Sequence, residues 1–377
     1  MKVAVLGAGM VGRTIALDLI KYFEVTSFDR NITMLQILQK QNTQIKTQEA
    51  DLSDTSSYKM LFSSFEYIVS AVPGFMGFKT LEALVKLGKK VADISFFPED
   101  ALTLDELAKA NNATAIVDCG VAPGMSNLIL GFYNREMHIT HFNCMVGGLP
   151  VQREFPWEYK APFSPVDVIE EYMRPARYKE NGHIVVREAL SDPELVNIPP
   201  VGTLESFNTD GLRSLLFTLP HIPNMKEKTL RYPGHIRFIK ALKQSGFFDE
   251  KPIKYKNQEI IPLQFTSALL FNQWELKQGE KEFTIMKIDI SGENKEGKID
   301  ISYLLYDEGD VDTQNSSMSR TTGFTCAAML NLMHQKMFLK KGIFPPELVG
   351  SEPGCYQFVM DYLKKRGVHY NITVLQS

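Results

Sequence analysis

Several things are scarce in this chain, and each absence excludes something. Four cysteines, at 119, 144, 326 and 355, are spread over 377 residues without a CxxC pair. That spacing argues against structural zinc, no metal-ligand cluster stands out elsewhere, and a cytoplasmic setting keeps such thiols reduced. No apolar run is long enough to span a bilayer. The opening "MKVAVLGAGMVG" lacks the small-residue cleavage pattern of a signal peptide. Lysine and arginine number 41 against 44 acids, a net charge of −3, so no basic surplus invites nucleic acid or an anionic membrane. What remains is a cytoplasmic protein of about two domains whose partner is a small molecule.

The strongest local signal opens the chain. In "KVAVLGAGMVGRTIALDLI" an apolar strand, Val3 to Leu6, runs into Gly7, Gly9 and Gly12, and a helical pattern follows at Val11, Ile15, Leu19 and Ile20. The first glycine permits a tight turn, the second a close approach of backbone amides to a pyrophosphate, and the third close helix packing. The helix N-terminus, from Met10 and Val11 onward, faces the phosphates with its positive end. Strand Glu24 to Phe28 ends in Asp29, whose carboxylate suits the adenosine ribose hydroxyls and repels a 2′-phosphate. NAD is therefore favoured over NADP, with Arg30 the residue that speaks for the phosphorylated form.

The βα rhythm continues through "YIVSAVPG" (67–74), "KVADIS" (90–95) and "TAIVDCG" (114–120). Buried strands alternating with helices describe a doubly wound parallel sheet. Its carboxyl edge places Ala71, Val72, Pro73 and Gly74 on the cofactor wall, together with Asp93 and Cys119. The turn "DCGVAPGMSN" (118–127) stands at the same edge, where α/β proteins place chemistry. Asp118 is either a catalytic carboxylate there or a cap for the helix that follows.

After about residue 135 the character changes. "HITHFNCMVGGLPV" alternates like a strand, with glycines that suggest a close approach or a bulge. "PWEYKAPFSP" reads as a loop, and "FTIMKIDISGENKEGKIDISYLLYD" as two strands about a Gly/Asn/Lys turn. The expected fold class is α/β: a parallel-sheet nucleotide domain (1–122), an inserted α+β mixed-sheet substrate and dimerisation domain (123–318), and C-terminal helices (319–377) returning to the first domain. The methionines from Met329 to Met337 read as packing.

"VLGAGMVGRTIALDL", "VSAVPGF", "DCGVAPGMSN", "GGLPV", "FNTDGLRSLL", "KTLRYPGH", "SMSRTTGF" and "GIFPPE", in this order, resemble the saccharopine dehydrogenase-like oxidoreductases, nearest the lysine 6-dehydrogenase branch. The resemblance implies a Rossmann domain, a nicotinamide cofactor, oxidation of a carbon bearing an amine in lysine-related metabolism, and a homodimer. "DCGVAPG" replaces the DPGIDH-type turn of the saccharopine-forming reductases, which speaks against the larger substrate with extra carboxylates.

Oxidative deamination at the ε-carbon of lysine needs a neutral amine. At pH 7 deprotonating an ammonium of pKa about 10.4 costs roughly 4–5 kcal/mol, so the site must supply a base or desolvation. Asp118, Lys160 and His235 are the candidates for proton transfer. Cys119 reads as a wall residue, because hydride transfer needs no nucleophile. A substrate α-carboxylate wants the planar fork of a guanidinium, from Arg231 first and Arg213 second, the latter equally suited to a structural ion pair. Asp210 and Glu158 are candidate acids for the cationic amine, and Tyr159 with Trp157 candidate walls of an aliphatic slot. The alternatives are a saccharopine or carboxynorspermidine dehydrogenase or reductase and, in another class, a non-catalytic NAD(P)-binding sensor.

Overall fold

The computed structural model describes residues 1–161, 165–277, 279–310, 313 and 315–376. Residues 162–164, in the stretch read as a loop, lie outside the described residues. The first third forms β1 (Lys2–Leu6), β2 (Glu24–Asp29), β3 (Lys46–Glu49), β4 (Tyr67–Ser70), β5 (Lys90–Asp93) and β6 (Thr114–Ile116). A strand from far along the chain, Gly342–Phe344, completes a seven-stranded parallel sheet in the order Gly342–Phe344, β6, β5, β4, β1, β2, β3. Strands such as Tyr67–Ser70 are buried throughout because apolar residues pack on both faces of the sheet. The winding reverses between β1 and β4, and the crevice at that switch point is where such sheets bind ligands.

The second sheet is built from β7 (His138–Pro150), β8 (Ala176–Glu180), β9 (His183–Arg187), β10 (Glu194–Ile198), β11 (Gly202–Asn208) and β12 (Asn224–Arg231). A separate hairpin, β13 (Ile253–Tyr255) and β14 (Gln258–Ile260), precedes the long pair β15 (Glu282–Asn294) and β16 (Gly297–Glu308). The order is β10-β11-β12-β7-β15-β16 and a last strand, with β8 and β9 attached to β12. β12 and β7 run parallel while β15 and β16 are antiparallel, which makes the sheet mixed. Gly147 lies in β7 where the backbones crowd: a Cβ there would stand 2.7 Å from the Leu230 carbonyl oxygen.

The helix Ser317–His334 lies between the two sheets, and most of it is buried, Met329 and Met333 included. One apolar cluster runs from Val3 and Val5 through Ile15 and Leu330 to Met286 and Ile288 of the second sheet. At about 2 kcal/mol for each fully buried Leu, Ile or Met, this shared core outweighs any single polar contact between the domains.

The tail departs from the expected return of 319–377 to the nucleotide domain alone. β17 (Gly342–Phe344) does extend the parallel sheet, but β18 (Tyr370–Gln376) pairs antiparallel with β16 of the second sheet. The reason is the unfilled edge of β16, whose N–H and C=O groups gain a ladder from the final strand. Among the described residues no helix is long and apolar enough to cross a membrane.

Candidate active site

A cleft of about 500 Å³ runs along the carboxyl edge of the parallel sheet and under β7 and β12. Its first end is made of backbone. Gly7 has φ +103, donates its N–H to the Phe28 carbonyl, and would place a Cβ 2.4 Å from the Ala71 carbonyl oxygen. A Cβ on Gly12 would stand 2.1 Å from the Gly7 carbonyl oxygen, so the helix Met10–Leu19 can approach the loop only through a glycine. Gly9 differs: nothing lies within 4 Å of its missing Cβ. That open space beside a helix N-terminus without first-turn acids is a cradle for a pyrophosphate. Asp29 is fixed by Ala8 N–H (2.7 Å) and Asn31 N–H (2.8 Å), and Arg30, Asp51 and Ser53 line the same end. Met10 and Val11 line the cleft at the helix start, as Ala71, Val72, Pro73 and Gly74 do beyond β4. These residues fit a dinucleotide.

At the middle of the cleft the chain leaves β6 through Asp118 in a left-handed conformation, φ +52. Asp118 does not cap the next helix, whose N-cap is Gly124. Its Oδ2 accepts instead from Arg213 Nε at 3.0 Å, and Arg213 is itself left-handed, φ +45. Two such residues cost about 1–3 kcal/mol each, offset here by the bond between them. Arg213 also donates to the Phe97 carbonyl (2.9 Å) and lies over the Phe96 ring at 4.7 Å, so it binds one domain to the other from behind the wall. It makes the structural ion pair to which its sequence context suited it equally, and it does not line the cleft as a second carboxylate anchor would.

Asp93 and Cys119, expected on the cofactor wall, lie behind it. Both are fully buried, and neither lines the cleft. Burial pushes the Asp93 carboxyl up to about 7, and pushes the Cys119 thiol, beside Cys326, well above its ordinary range. Strand alternation and the turn after β6 direct both inward, which removes Cys119 from any chemistry in the cleft.

The opposite wall comes from β12 and the helix Pro165–Met173. Alternation brings Glu227, Thr229 and Arg231 to one face of β12, and all three line the cleft. Arg231 is 2% exposed; it donates to Tyr172 Oη (3.0 Å), Glu171 (3.2 Å) and its neighbour's carbonyl, and lies 4.4 Å over the Tyr159 ring. Burial alone would favour losing its proton, but Tyr159, Tyr172 and Glu171 more than offset that and hold it charged. Asp210 lines the cleft while clasped in a bidentate pair by Arg177, both contacts 2.8 Å. It is therefore a neutralised acid rather than the open one expected.

Trp157 and four further expected residues are likewise not brought to the cleft. Lys160 faces Glu280 (3.5 Å) and Glu154 (3.8 Å) in a separate cavity of about 290 Å³ beside Trp157. Glu158 pairs with Arg153. Tyr159 is buried beneath Arg231, so it supports that guanidinium rather than lining the cleft. His235 is 2% exposed, with Nδ1 2.8 Å from the Trp157 carbonyl and Nε2 2.9 Å from Tyr172 Oη. Burial, aided by Arg231, pushes its pKa down to about 3, so the ring is neutral and holds the tyrosine that holds Arg231. The Pro-Gly turn reverses the chain after β12 and carries His235 behind the strand, a change of direction that adjacency in sequence conceals.

The sequence reading missed Glu227, Glu171, Arg174 and Phe96. Glu227 is 5% exposed, its Oε2 has no hydrogen-bond partner among the described residues, and burial beside Glu171 and Asp210 pushes its carboxyl up to about 8. The period-two step back from Arg231 through Thr229 was the available signal. Phe96 lies between Arg213 and Arg174, the latter at 5.2 Å.

Comparisons with known proteins agree with this layout. Residues 3–116 match the family model "Saccharopine dehydrogenase NADP binding domain" and residues 120–368 match "Saccharopine dehydrogenase C-terminal domain". The carboxyaminopropylagmatine dehydrogenase of Synechocystis sp. is 21% identical over 93% of this chain and 94% of its own length. An alpha-aminoadipic semialdehyde synthase of Arabidopsis thaliana is 26% identical over 53% of this chain, which spans 20% of that longer protein. The apo saccharopine dehydrogenase (L-Glu forming) of Saccharomyces cerevisiae shares the fold, with a TM-score of 0.81 over the whole of both chains at 19% identity.

Proposed function

The chain belongs to the saccharopine dehydrogenase family, and on that premise we propose that it is an NAD-dependent dehydrogenase that deaminates the ε-amine of L-lysine oxidatively, yielding the semialdehyde that cyclises to piperideine-6-carboxylate. One observation carries the substrate class. Beyond the nucleotide end, the described cleft lining presents five carboxyl groups, Asp118, Glu170, Glu171, Asp210 and Glu227, the last held protonated by burial, against two cations, Arg174 and Arg231. The guanidiniums that pair with Asp118 and Asp210 stand outside that lining. Such a wall suits a substrate rich in amines with one carboxylate, and Arg231, buried and held charged, suits that carboxylate. Saccharopine brings further carboxylates for which the lining offers little.

When bound, the nicotinamide supplies the hydride acceptor. Arg231 would hold the α-carboxylate, and Asp118, fixed by Arg213, would face the positive charge that develops as the amine becomes an iminium. Asp29 and Asp51 at the adenosine end favour NAD over a 2′-phosphorylated cofactor. A homodimer follows from the family resemblance, and the exposed Ile372, Val374 and Leu375 of β18 offer it apolar surface. Four buried, unpaired thiols support a cytoplasmic location.

The end-to-end match to the cyanobacterial enzyme favours a second reading, in which the substrate is a carboxylated polyamine and a secondary amine is oxidised. It makes the same demands on the wall. NADH or NADPH formation at 340 nm separates the two, with L-lysine and carboxyaminopropylagmatine each offered NAD⁺ and NADP⁺ at alkaline pH. Turnover of lysine with NAD⁺ supports the first reading and turnover of the polyamine alone the second. No turnover of any amine would overturn both.

A further inference from the structure

The substrate's ammonium proton needs an acceptor. Lys160 and His235 lie outside the cleft, and Asp118 is engaged by Arg213. Glu227 meets the geometric requirement. It lines the cleft from β12, two alternations before Arg231, so their Cα atoms are about 13 Å apart along the strand. One strand thus carries a guanidinium suited to a carboxylate at its end and a carboxyl group near its middle, with Thr229 between. Oε2 of Glu227 has no partner among the described residues, whereas the buried Glu347 accepts from Asn127 and Thr218. A Cβ on Gly211 would lie 1.7 Å from Oε1, so in its present rotamer this carboxyl packs directly against the "TDG" turn at a glycine.

We propose that Glu227 is the general base that takes the proton from the substrate ammonium, a role that rests on the amine-oxidation reading above. The carboxylate of Glu227 receives a proton from R–CH₂–NH₃⁺, leaving R–CH₂–NH₂ and a carboxylic acid. A hydride then leaves the carbon for the oxidised nicotinamide, giving R–CH=NH₂⁺. Water adds to that carbon, and breaking of the C–N bond releases the aldehyde and ammonium. The sum is R–CH₂–NH₃⁺ + NAD⁺ + H₂O → R–CHO + NH₄⁺ + NADH + H⁺, the final proton passing from Glu227 to solvent.

The groups facing Glu227 explain why it is protonated when the cleft is empty of cations. Burial dominates, and Glu171, Asp210 and Asp118 disfavour its charge against Arg213, which favours it; Cys144 on β7 is buried and neutral. A substrate ammonium adds the missing positive charge. The pKa of about 8 places the acid limb of kcat/KM for the free enzyme near pH 8.

The test is Glu227→Gln in the full chain. Its kcat for L-lysine is expected to fall by about 10²–10⁴ and the acid limb near pH 8 to vanish, with NADH affinity unchanged. Thermal melts provide a reading without turnover. A carboxyl with a raised native pKa stabilises less as pH rises from about 4.5 to about 8. The variant should therefore melt above the wild type at pH 9, the gap closing toward pH 5. Unchanged kcat and pH profile, or a loss confined to KM, overturns the base while leaving the amine reading intact. An inactive wild type overturns both. If the glutamine variant fails to bind NADH, Glu227→Asp decides: reduced kcat with a moved acid limb supports the base, and wild-type behaviour overturns it.

Discussion

The two ends of the cleft are built by different means. At the nucleotide end the contacts come from backbone, in a loop where Gly7 and Gly12 are forced by atoms 2.4 and 2.1 Å away and Gly9 is forced only by the ligand that would fill its empty side. At the substrate end the contacts come from charged side chains drawn from separate parts of the chain, nearly all committed to partners: Asp118 to Arg213, Asp210 to Arg177, Arg231 to Glu171 and Tyr172. A dinucleotide offers a repeating phosphate that amides can bind wherever a helix begins. A small amine must be positioned and deprotonated, which takes buried charge and the contacts that tolerate it.

That contrast can be broken from either end. Arg231→Met should have the largest effect, because it leaves Glu171 and the Tyr172 hydroxyl without their cation: a loss of about 3 kcal/mol in urea unfolding and a KM for lysine raised by orders of magnitude. Gly12→Ala and Gly9→Ala then separate two roles within one motif. Alanine normally gains about 1 kcal/mol over glycine inside a helix, but at Gly12 the Cβ meets a carbonyl at 2.1 Å, so the melting temperature should fall. At Gly9 the fold should be unaffected while NAD⁺ affinity, by fluorescence titration, drops about tenfold, some 1.4 kcal/mol. Asp29→Asn should narrow the preference for NAD⁺ over NADP⁺ by a similar factor, read as the ratio of kcat/KM. Lys160→Met should have the smallest effect, with kcat for lysine near that of the wild type, because Lys160 faces a different cavity.

Legibility in the sequence follows the same division. The glycine loop, Asp29 and the turn after β4 could be read directly, since each is contiguous and its chemistry is backbone chemistry. The substrate wall could be read only in part. Arg231 and Asp118 stood out as residue types in a turn or strand context. Glu227 required knowing which face of β12 meets the cleft, and Arg174 and Phe96 required the packing of a helix against a loop some eighty residues earlier. His235 and Lys160 misled because neighbours in sequence can point to opposite sides of a wall. The final strand was similarly hidden, since nothing local to Tyr370–Gln376 names β16 as its partner.

The most direct test of the central claim, that this cleft selects an amine-rich substrate with one carboxylate, is the ratio of kcat/KM for L-lysine to that for saccharopine, measured with NAD⁺ at pH 9. The account predicts a ratio well above one. A preference for saccharopine would contradict it, and would mean that cations outside the described lining turn inward when substrate binds.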